Sequence, residues 1–154
     1  MDADRLMSRL NPGVAWLLRS PLHPLVSGGL MLLTVTGRRS GRRYAIPVGY
    51  QRSGDRITVL VSKAPRKRWW RNYLEPRPVE VRLWGRARRG EARVLPPGSP
   101  EFRKAMEASL RRIPFLGRQF GIAYRRGQPL APEQWRRIEA GAAVVEIALA
   151  PADA

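Results

Sequence analysis

The sequence predicts a mainly β protein of the α+β class, a small β-barrel of about six strands with covering helices. Short apolar runs, alternating or β-branched, recur along the chain, and clusters of glycine, proline and polar residues separate them. A length of 154 residues, with 44% hydrophobic and 27% charged residues, suits one globular domain with its own core. We therefore expect a single domain over residues 1–154, in which residues 1–28 form a helical amino-terminal segment.

The first half of the chain predicts two short helices followed by three strands. Apolar residues at helical spacing reach Leu18, and Asn11-Pro12-Gly13 interrupts them. The runs Leu30 to Thr36, Tyr44 to Gln51 and Ile57 to Ser62 are strand-like. The turn signals between these runs predict a three-strand meander.

The second half predicts a basic-aromatic helix, two strands, two helices and a final strand. Their expected ranges are, in order, Pro65 to Leu74, Val79 to Trp84, Arg86 to Leu95, Glu101 to Ile113, Pro132 to Ala140 and Ala143 to Leu149. Val79, Val81 and Leu83 alternate with polar residues, which favours a strand with one buried face. Pro114 is expected to stop the helix that precedes it.

Charge and cysteine content limit the partners and the chemistry that the protein can have. The chain has 29 basic and 12 acidic residues, a net charge of +17, which favours anionic partners. Only three basic residues are lysines; arginine suits bidentate phosphate contacts, although codon usage could also cause the bias. Zero cysteines exclude disulfides and thiolate chemistry. No apolar run reaches the roughly 18 residues that cross a bilayer, so we expect a cytoplasmic protein.

The segment from Gly37 to Arg43 is the strongest functional signal. It places four arginines, a serine and two glycines between two strand-like runs. Glycine lets the backbone approach a ligand closely, and guanidinium and N–H groups match phosphate oxygens. We interpret it as an anion-binding turn for a phosphorylated cofactor. The alternative is a solvated hairpin whose arginines keep a sheet edge soluble.

A second basic cluster begins at Ser62-Lys63 and contains adjacent Trp69 and Trp70. Neighbouring side chains on a helix point about 100° apart, so one tryptophan can enter the core while the other lines a groove. Both could also be core residues. Asn72 could bind the polar edge of a planar ring or stabilise a local turn.

Groups for direct catalysis are scarce. His23 is the only histidine, and the carboxylates are dispersed, so no metal site is expected. If the protein is an enzyme, a bound organic cofactor must perform the difficult step.

Several segments resemble the deazaflavin-dependent nitroreductase family, whose members are coenzyme F420-dependent reductases of the flavin/deazaflavin oxidoreductase superfamily. The residues that carry the resemblance are Leu32 to Arg43 with the string T-G-R-R-S-G-R, Ile46-Pro47-Val48, Gly54-Asp55, Ser62-Lys63 and Trp70-Arg71-Asn72. The resemblance implies a split β-barrel that binds F420, or FMN as in some relatives, in a groove of the barrel.

The resemblance also implies roles for individual residues. The phosphate would be held by Arg38, Arg39, Ser40, Gly41 and Arg43. The other implied cofactor-binding residues are Ile46, Pro47, Ser62, Lys63, Arg68, Trp70 and Asn72. The implied reaction is hydride transfer from the reduced deazaflavin to a small electron acceptor of quinone, nitro or enone type. The proton would come from solvent or from one of the hydroxyl groups of Tyr44, Tyr50, Ser62 and Tyr124.

Two departures from the family leave substrate and cofactor open, with FMN as the alternative to F420. The loop Ala64-Pro65-Arg66 is compact, and Gly121 to Gln128 does not align with the family's tyrosine-bearing section. Split barrels of this superfamily often dimerise, so a homodimer is an open option. The amphipathic amino-terminal segment could contact a membrane surface or cover the barrel.

A different class of function is non-enzymatic nucleic-acid binding. Arginines would contact phosphates, and Trp69, Trp70 or Trp84 would stack on bases. Against this alternative, the basic residues are spread over most elements and no known nucleic-acid module is present. We therefore expect a small-molecule partner rather than nucleic acid.

Overall fold

The fold was analysed in a computed structural model, which describes residues 30–152. The strands are β1 (Leu30–Thr36), β2 (Arg43–Gly49), β3 (Gln51–Ser53), β4 (Arg56–Ser62), β5 (Arg77–Leu83), β6 (Arg86–Val94) and β7 (Ala142–Leu149). The α-helices are α1 (Pro100–Arg112) and α2 (Pro132–Gly141), and 3-10 helices lie at Ala64–Arg66, Trp69–Tyr73 and Pro114–Phe120. The predicted amino-terminal helices and His23 lie outside the described residues.

The strands form one seven-stranded sheet in the order β2-β1-β5-β6-β7-β4-β3, with every pair antiparallel. The two strands at the ends of this order, β2 and β3, are separated by only one residue, Tyr50. The sheet therefore curls until its two ends meet. β3 pairs with β4 over Gln51–Ser53, and β2 pairs with β1 instead. No backbone pairing joins β2 to β4, so the barrel is split between these two strands. The predicted mainly β split barrel is confirmed.

The predicted three-strand meander is confirmed only in part: β1 pairs with β2 and Gln51 pairs with β4, but β2 itself does not pair with β4. The run Tyr44 to Gln51 breaks at Tyr50 into β2 and β3, which adds one strand to the expected count. β4 pairs along its whole length with β7 rather than with β2. β7 lies between β4 and β6 and is buried at almost every position, because one face lines the barrel interior and the other packs under the helices.

The predicted helix from Pro65 to Leu74 is wrong. Two short 3-10 helices occupy this range, and Lys67 between them has extended backbone angles of φ −108° and ψ 145°. Trp69 and Trp70 pack against the barrel core, and Nε1–H of Trp70 donates to the carbonyl oxygen of Ala64 at 2.9 Å, so these contacts outweigh the weak helical propensity of the segment. The predicted helices and strands of the rest of the second half are confirmed, with ends shifted by at most two residues.

The buried apolar residues form two clusters. One fills the barrel, with fully buried side chains such as Leu33, Ile57 and Val81 from alternate positions of the strands. The other lies between the sheet and the helices and includes Phe102 and Ile138. Each such side chain stabilises the fold by roughly 1.5–3 kcal/mol on burial. The second cluster holds α1 across the outer face of β4, where Leu60 packs against it.

Gly90 on β6 is needed for the approach of β7. A Cβ atom at this position would lie 2.5 Å from the carbonyl oxygen of Ala148 and 3.1 Å from Cα of Leu149, and backbone cannot rotate away as a side chain can. We predict that Gly90→Ala lowers the free energy of unfolding by about 2 kcal/mol because the two strands must separate.

Gly141→Ala is the matched control, because its nearest atom, Cδ1 of Phe120, would be 3.9 Å away. It should leave stability unchanged or raise it by up to about 1 kcal/mol. Urea denaturation of both variants measures the difference, and equal effects would show that the backbone contact at Gly90 is unimportant.

Candidate functional site

A cavity of about 880 Å³ opens in the split between β2 and β4. Residues 46–51 form one wall and residues 58–62 the other, and the remaining lining residues are Lys67, Trp69, Ser109, Arg112, Ile113, Leu116 and Gln119. Sites for organic ligands usually measure roughly 300–1,000 Å³. The cavity is therefore large enough for a planar tricyclic ring system.

The charge of the cavity is positive. Lys67 and Arg112 are its charged lining residues, and no carboxylate among the described residues lines it. Tyr50, Ser62 and Gln119 add neutral polar groups to apolar walls. In a partly enclosed site the two cations favour an anionic or electron-rich ligand.

The turn from Gly37 to Arg43 is closed by its own backbone. Gly37 N donates to the carbonyl oxygen of Arg42 at 2.8 Å, and Gly41 N donates to that of Gly37 at 2.9 Å. Gly41 has φ +68°, in the left-handed region. A Cβ atom on Gly37 would lie 2.7 Å from Oγ of Ser40, which accepts a hydrogen bond from Arg42 N. The shape of the turn thus requires glycine at position 41, whereas a side chain at position 37 would displace the Ser40 hydroxyl.

The same turn leaves several donors available to an anion. The guanidinium groups of Arg38, Arg39 and Arg42 are exposed and form no ion pair with a carboxylate of residues 30–152. Arg43 lies 3.7 Å from Glu80, but both side chains are more than a third exposed, so this ion pair contributes little to stability. The backbone N–H groups of Arg39 and Ser40 also have no partner in the described part of the chain. The donor set fits a phosphate group.

Asn72 ties the turn to the 3-10 helix at Trp69–Tyr73. Its Oδ1 accepts from Arg38 N at 2.8 Å, and its Nδ2 donates to the carbonyl oxygen of Trp69 at 2.9 Å. Asn72 is buried and does not line the cavity. Its amide therefore fixes the position of the turn beside the cavity-lining segment.

The adjacent tryptophans have different surroundings. Trp69 lines the cavity and meets Tyr73 edge to face, with ring centroids 6.4 Å apart. Trp70 donates Nε1–H to the carbonyl oxygen of Ala64 at 2.9 Å, and the guanidinium of Arg71 lies 5.5 Å from its ring centroid. The tryptophan that faces the cavity is Trp69, whereas Trp70, which was identified by motif, is absent from the lining.

The other residues implied by the resemblance also fall into two groups, those that line the cavity and those that do not. Ile46, Pro47 and Ser62 line the cavity, as does Tyr50. The implied residues that do not line it are Arg38, Arg39, Ser40, Gly41 and Arg43 of the turn, Lys63, Arg68, Trp70 and Asn72, and the tyrosines Tyr44 and Tyr124. Lys63 lies just after β4 with φ 51°, a left-handed conformation that costs about 1 kcal/mol for a residue with a side chain. Tyr124 packs into the second core cluster.

Lys67, Trp69 and Arg112 are the main lining residues that were not predicted as site residues. Lys67 and Trp69 belong to a basic-aromatic segment that the sequence does single out, although its irregular backbone hides which side chains face inward. Arg112 ends α1, and the cavity is completed by the 3-10 helix at Pro114–Phe120. No local pattern shows that this distant helix packs across β4.

The buried Tyr73 and the partly buried Arg77 lie close to the turn. Burial raises the pKa of Tyr73 to about 12, with a further increase from Tyr44 and an opposing effect of Arg77. Nη1 of Arg77 is buried and has no hydrogen-bond partner among residues 30–152. A buried cationic donor without an acceptor is costly, and an anionic ligand or an ordered water would satisfy it.

The described residues contain neither a metal-binding cluster nor a membrane-spanning helix. No group of three or more His, Cys, Asp or Glu side chains could hold a metal ion. No helix within residues 30–152 is long and apolar enough to span a bilayer.

Comparison with known proteins gives one family match and several structural neighbours. Residues 22–114 match the family model described as F420H(2)-dependent quinone reductase. The fold is similar to that of an F420-H2 dependent reductase, FDR-A, with a TM-score of 0.52 and 15% identity over 77% of this chain and 93% of that one. The heme storage protein HutZ from Vibrio cholerae gives a TM-score of 0.55 and 12% identity over 94% and 92%. No curated protein matches the sequence.

We predict that Asn72→Ala lowers the free energy of unfolding by about 2 kcal/mol, because it leaves Arg38 N and the carbonyl of Trp69 unpaired in a partly buried place. Ser40→Ala removes an exposed hydrogen bond and should cost less than about 0.5 kcal/mol. Chemical denaturation of both variants tests this, and equal losses would show that Asn72 does not fix the turn.

Stability should fall at alkaline pH because of Tyr73. Its pKa in the folded protein, about 12, lies above the value of 10.0 for an ordinary tyrosine, so the folded state holds the proton more tightly. The resulting stability is complete below about pH 10 and is lost as pH rises toward 12. In Tyr73→Phe the free energy of unfolding should decline less steeply over this interval. A decline as steep as that of the unchanged protein would contradict the prediction.

Proposed function

Because the chain belongs to the F420H(2)-dependent quinone reductase family, we propose that it binds F420 in the cavity between β2 and β4 and reduces a small quinone-type acceptor there. Two features carry this proposal: a cavity of suitable size that no carboxylate of residues 30–152 lines, and a turn in which Arg38, Arg39 and Arg42 form no ion pair within those residues. Asn72 connects them.

The turn would hold the phosphate of the cofactor. Arg39 and Ser40 offer backbone N–H groups, and Arg38, Arg39 and Arg42 offer guanidinium donors, so one phosphate could receive several charge-assisted hydrogen bonds. F420 also has an acidic oligoglutamate tail, which FMN lacks. Exposed Arg68 and Lys63 beside the site would attract this tail, and for that reason F420 is preferred over FMN.

The ring system would lie in the cavity with Trp69 against it. Val48 and Leu60 contribute apolar wall on opposite sides, which keeps water from the reacting atoms. Lys67 and Arg112 would stabilise negative charge on the polar edge of the ring or on the reduced acceptor. When bound, F420 supplies the hydride, and the protein contributes binding, orientation and electrostatics.

Tyr50 and Ser62 are the hydroxyl groups that we assign to proton delivery. Both line the cavity, whereas Tyr44 and Tyr124 do not. A quinone oxygen held near Lys67 or Arg112 would gain negative charge during reduction, and a neighbouring hydroxyl or a water could then protonate it. The nitro and enone acceptors implied by the resemblance would be polarised and protonated by the same side chains. An activity assay with each class of acceptor is therefore needed to tell them apart.

The experiment is a titration with F420 and, in parallel, FMN. We expect Arg39→Gln to weaken F420 binding by about tenfold or more, since a hydrogen bond to a charged group contributes about 1.5–3 kcal/mol. Trp69→Leu removes the aromatic contact with the ring system of the cofactor. It should therefore weaken the binding of F420 and of FMN to the same extent.

Arg136→Gln on α2 is the charge-matched control and should bind as the unchanged protein does, because Arg136 is exposed and is absent from the lining of the cavity. Absence of F420 binding, or equal losses in Arg39→Gln and Arg136→Gln, would contradict the proposal. Reduction of a soluble quinone by F420H2 in the unchanged protein then distinguishes a reductase from a protein that only binds the cofactor.

A further inference from the structure

An exposed surface of arginine and large apolar side chains borders the cavity between β2 and β4. It lies where α1 ends and the 3-10 helix at Pro114–Phe120 begins, and Arg112 and Ile113 also line the cavity. Ile113 is 45% exposed and Phe115 is 63% exposed, and the arginines around them are exposed as well. We call this surface the basic-apolar rim, and it consists of Arg111, Arg112, Ile113, Phe115, Arg118 and Arg126.

The two apolar side chains of the rim are held outward by a well-anchored segment. Phe120 of the same 3-10 helix belongs to the second core cluster, and Leu116 packs against that cluster. Leu116 N also donates to the carbonyl oxygen of Ile113 at 3.0 Å. Because the backbone is fixed from the inside, Ile113 and Phe115 stay in contact with water, which is unfavourable for apolar surface. Exposed apolar side chains grouped in this way mark an interaction surface.

The charge of the rim is positive and is not neutralised by the protein. Residues 108–132 contain no Asp or Glu, and no arginine of the rim forms an ion pair with a carboxylate of residues 30–152. Arg126 donates Nε–H to the carbonyl oxygen of Arg111 at 2.9 Å, so a neutral acceptor holds the loop against the end of α1. The guanidinium of Arg118 lies 5.2 Å from the ring centroid of Phe115. Cations and apolar groups therefore share one surface, which is complementary to an anionic and partly apolar partner.

We propose that the basic-apolar rim docks on the surface of an anionic lipid bilayer. Ile113 and Phe115 would enter the boundary between headgroups and acyl chains, and the guanidinium groups would contact lipid phosphates. Binding to such a surface increases with the apolar area that is buried and with electrostatic attraction to anionic lipids, and the rim offers both. Arginine side chains can cover apolar surface with their stems while their charged ends stay among the phosphates. The docked protein would have its cavity next to the lipid, because Arg112 and Ile113 belong to the rim and to the cavity lining.

Two other partners fit the rim less well. In a twofold dimer built on this surface, the rim would face a second copy of itself, and its four arginines would meet four arginines with no carboxylate of the rim between them. A nucleic-acid strand would stack its bases on aromatic rings. Arg118 already lies over the ring of Phe115, and the aliphatic Ile113 offers no surface for stacking. A bilayer, in contrast, accommodates both apolar side chains without any requirement on ring orientation.

The test is co-sedimentation of the full chain, without cofactor, with vesicles of phosphatidylcholine and phosphatidylglycerol and with vesicles of phosphatidylcholine alone. We expect binding to the anionic vesicles, weaker binding to the others, and a decrease as salt is raised. Phe115→Ser should weaken binding to anionic vesicles about fivefold or more, because an inserted apolar side chain is lost. Arg118→Gln should weaken it about fivefold, because one cation near the lipid surface is lost. Both side chains are exposed, so both variants should fold.

Leu74→Ser and Arg86→Gln are the matched controls, since Leu74 is 60% exposed, Arg86 is exposed and both lie outside the rim. They should bind vesicles as the unchanged protein does. No binding to anionic vesicles, or binding that Phe115→Ser and Arg118→Gln weaken no more than the controls do, would overturn the proposal. A dimer that Phe115→Ser dissociates, or tighter binding to a thymidine oligonucleotide than to vesicles, would overturn it in favour of another partner. F420 affinity should be the same in Phe115→Ser and in the unchanged protein, because Phe115 does not line the cavity, so the result is independent of the proposed cofactor.

Discussion

The chain passes from β2 to β3 through a single residue, Tyr50, and this short connection determines where the barrel closes and where it stays open. β3 must pair with β4 close to the turn between them, and β2 must follow β1, so the two strands diverge from Tyr50. Backbone pairing cannot fill the space between them. Side chains of β2 and β4, Trp69 and the end of α1 enclose it instead, and the cavity is the result.

A second constraint places the anion-binding turn beside that cavity. The amide of Asn72 accepts a hydrogen bond from Arg38 N in the turn and donates one to the carbonyl of Trp69 at the cavity. Asn72 is buried, which protects both hydrogen bonds from water. Hydrogen bonds donated by Gly37 N and Gly41 N close the backbone of the turn. The guanidinium groups are therefore not needed to hold its shape. Local backbone closure and one long-range hydrogen bond are thus enough to present unpaired cations next to an apolar wall.

The sequence predicts the elements well and their pairing poorly, for a physical reason. Alternation and proline signals identify β5, β6, α1 and α2, because these features depend on neighbours along the chain. The break at Tyr50 depends on curvature of the whole sheet, and the pairing of β4 with β7 depends on residues 80 or more positions apart. For the same reason the motif identifies the turn, Pro47 and Ser62, whereas Arg112 enters the cavity only through packing of a distant helix.

In the proposed complex the split between β2 and β4 holds the ring system of F420, and the turn at Gly37–Arg43 holds its phosphate. A crystal structure of the protein with bound F420 would show both contacts. We expect the deazaflavin ring against Trp69 inside the cavity, with a phosphate oxygen within hydrogen-bond distance of the N–H groups of Arg39 or Ser40. A ring outside the split, or a phosphate bound away from the turn, would overturn the proposed complex.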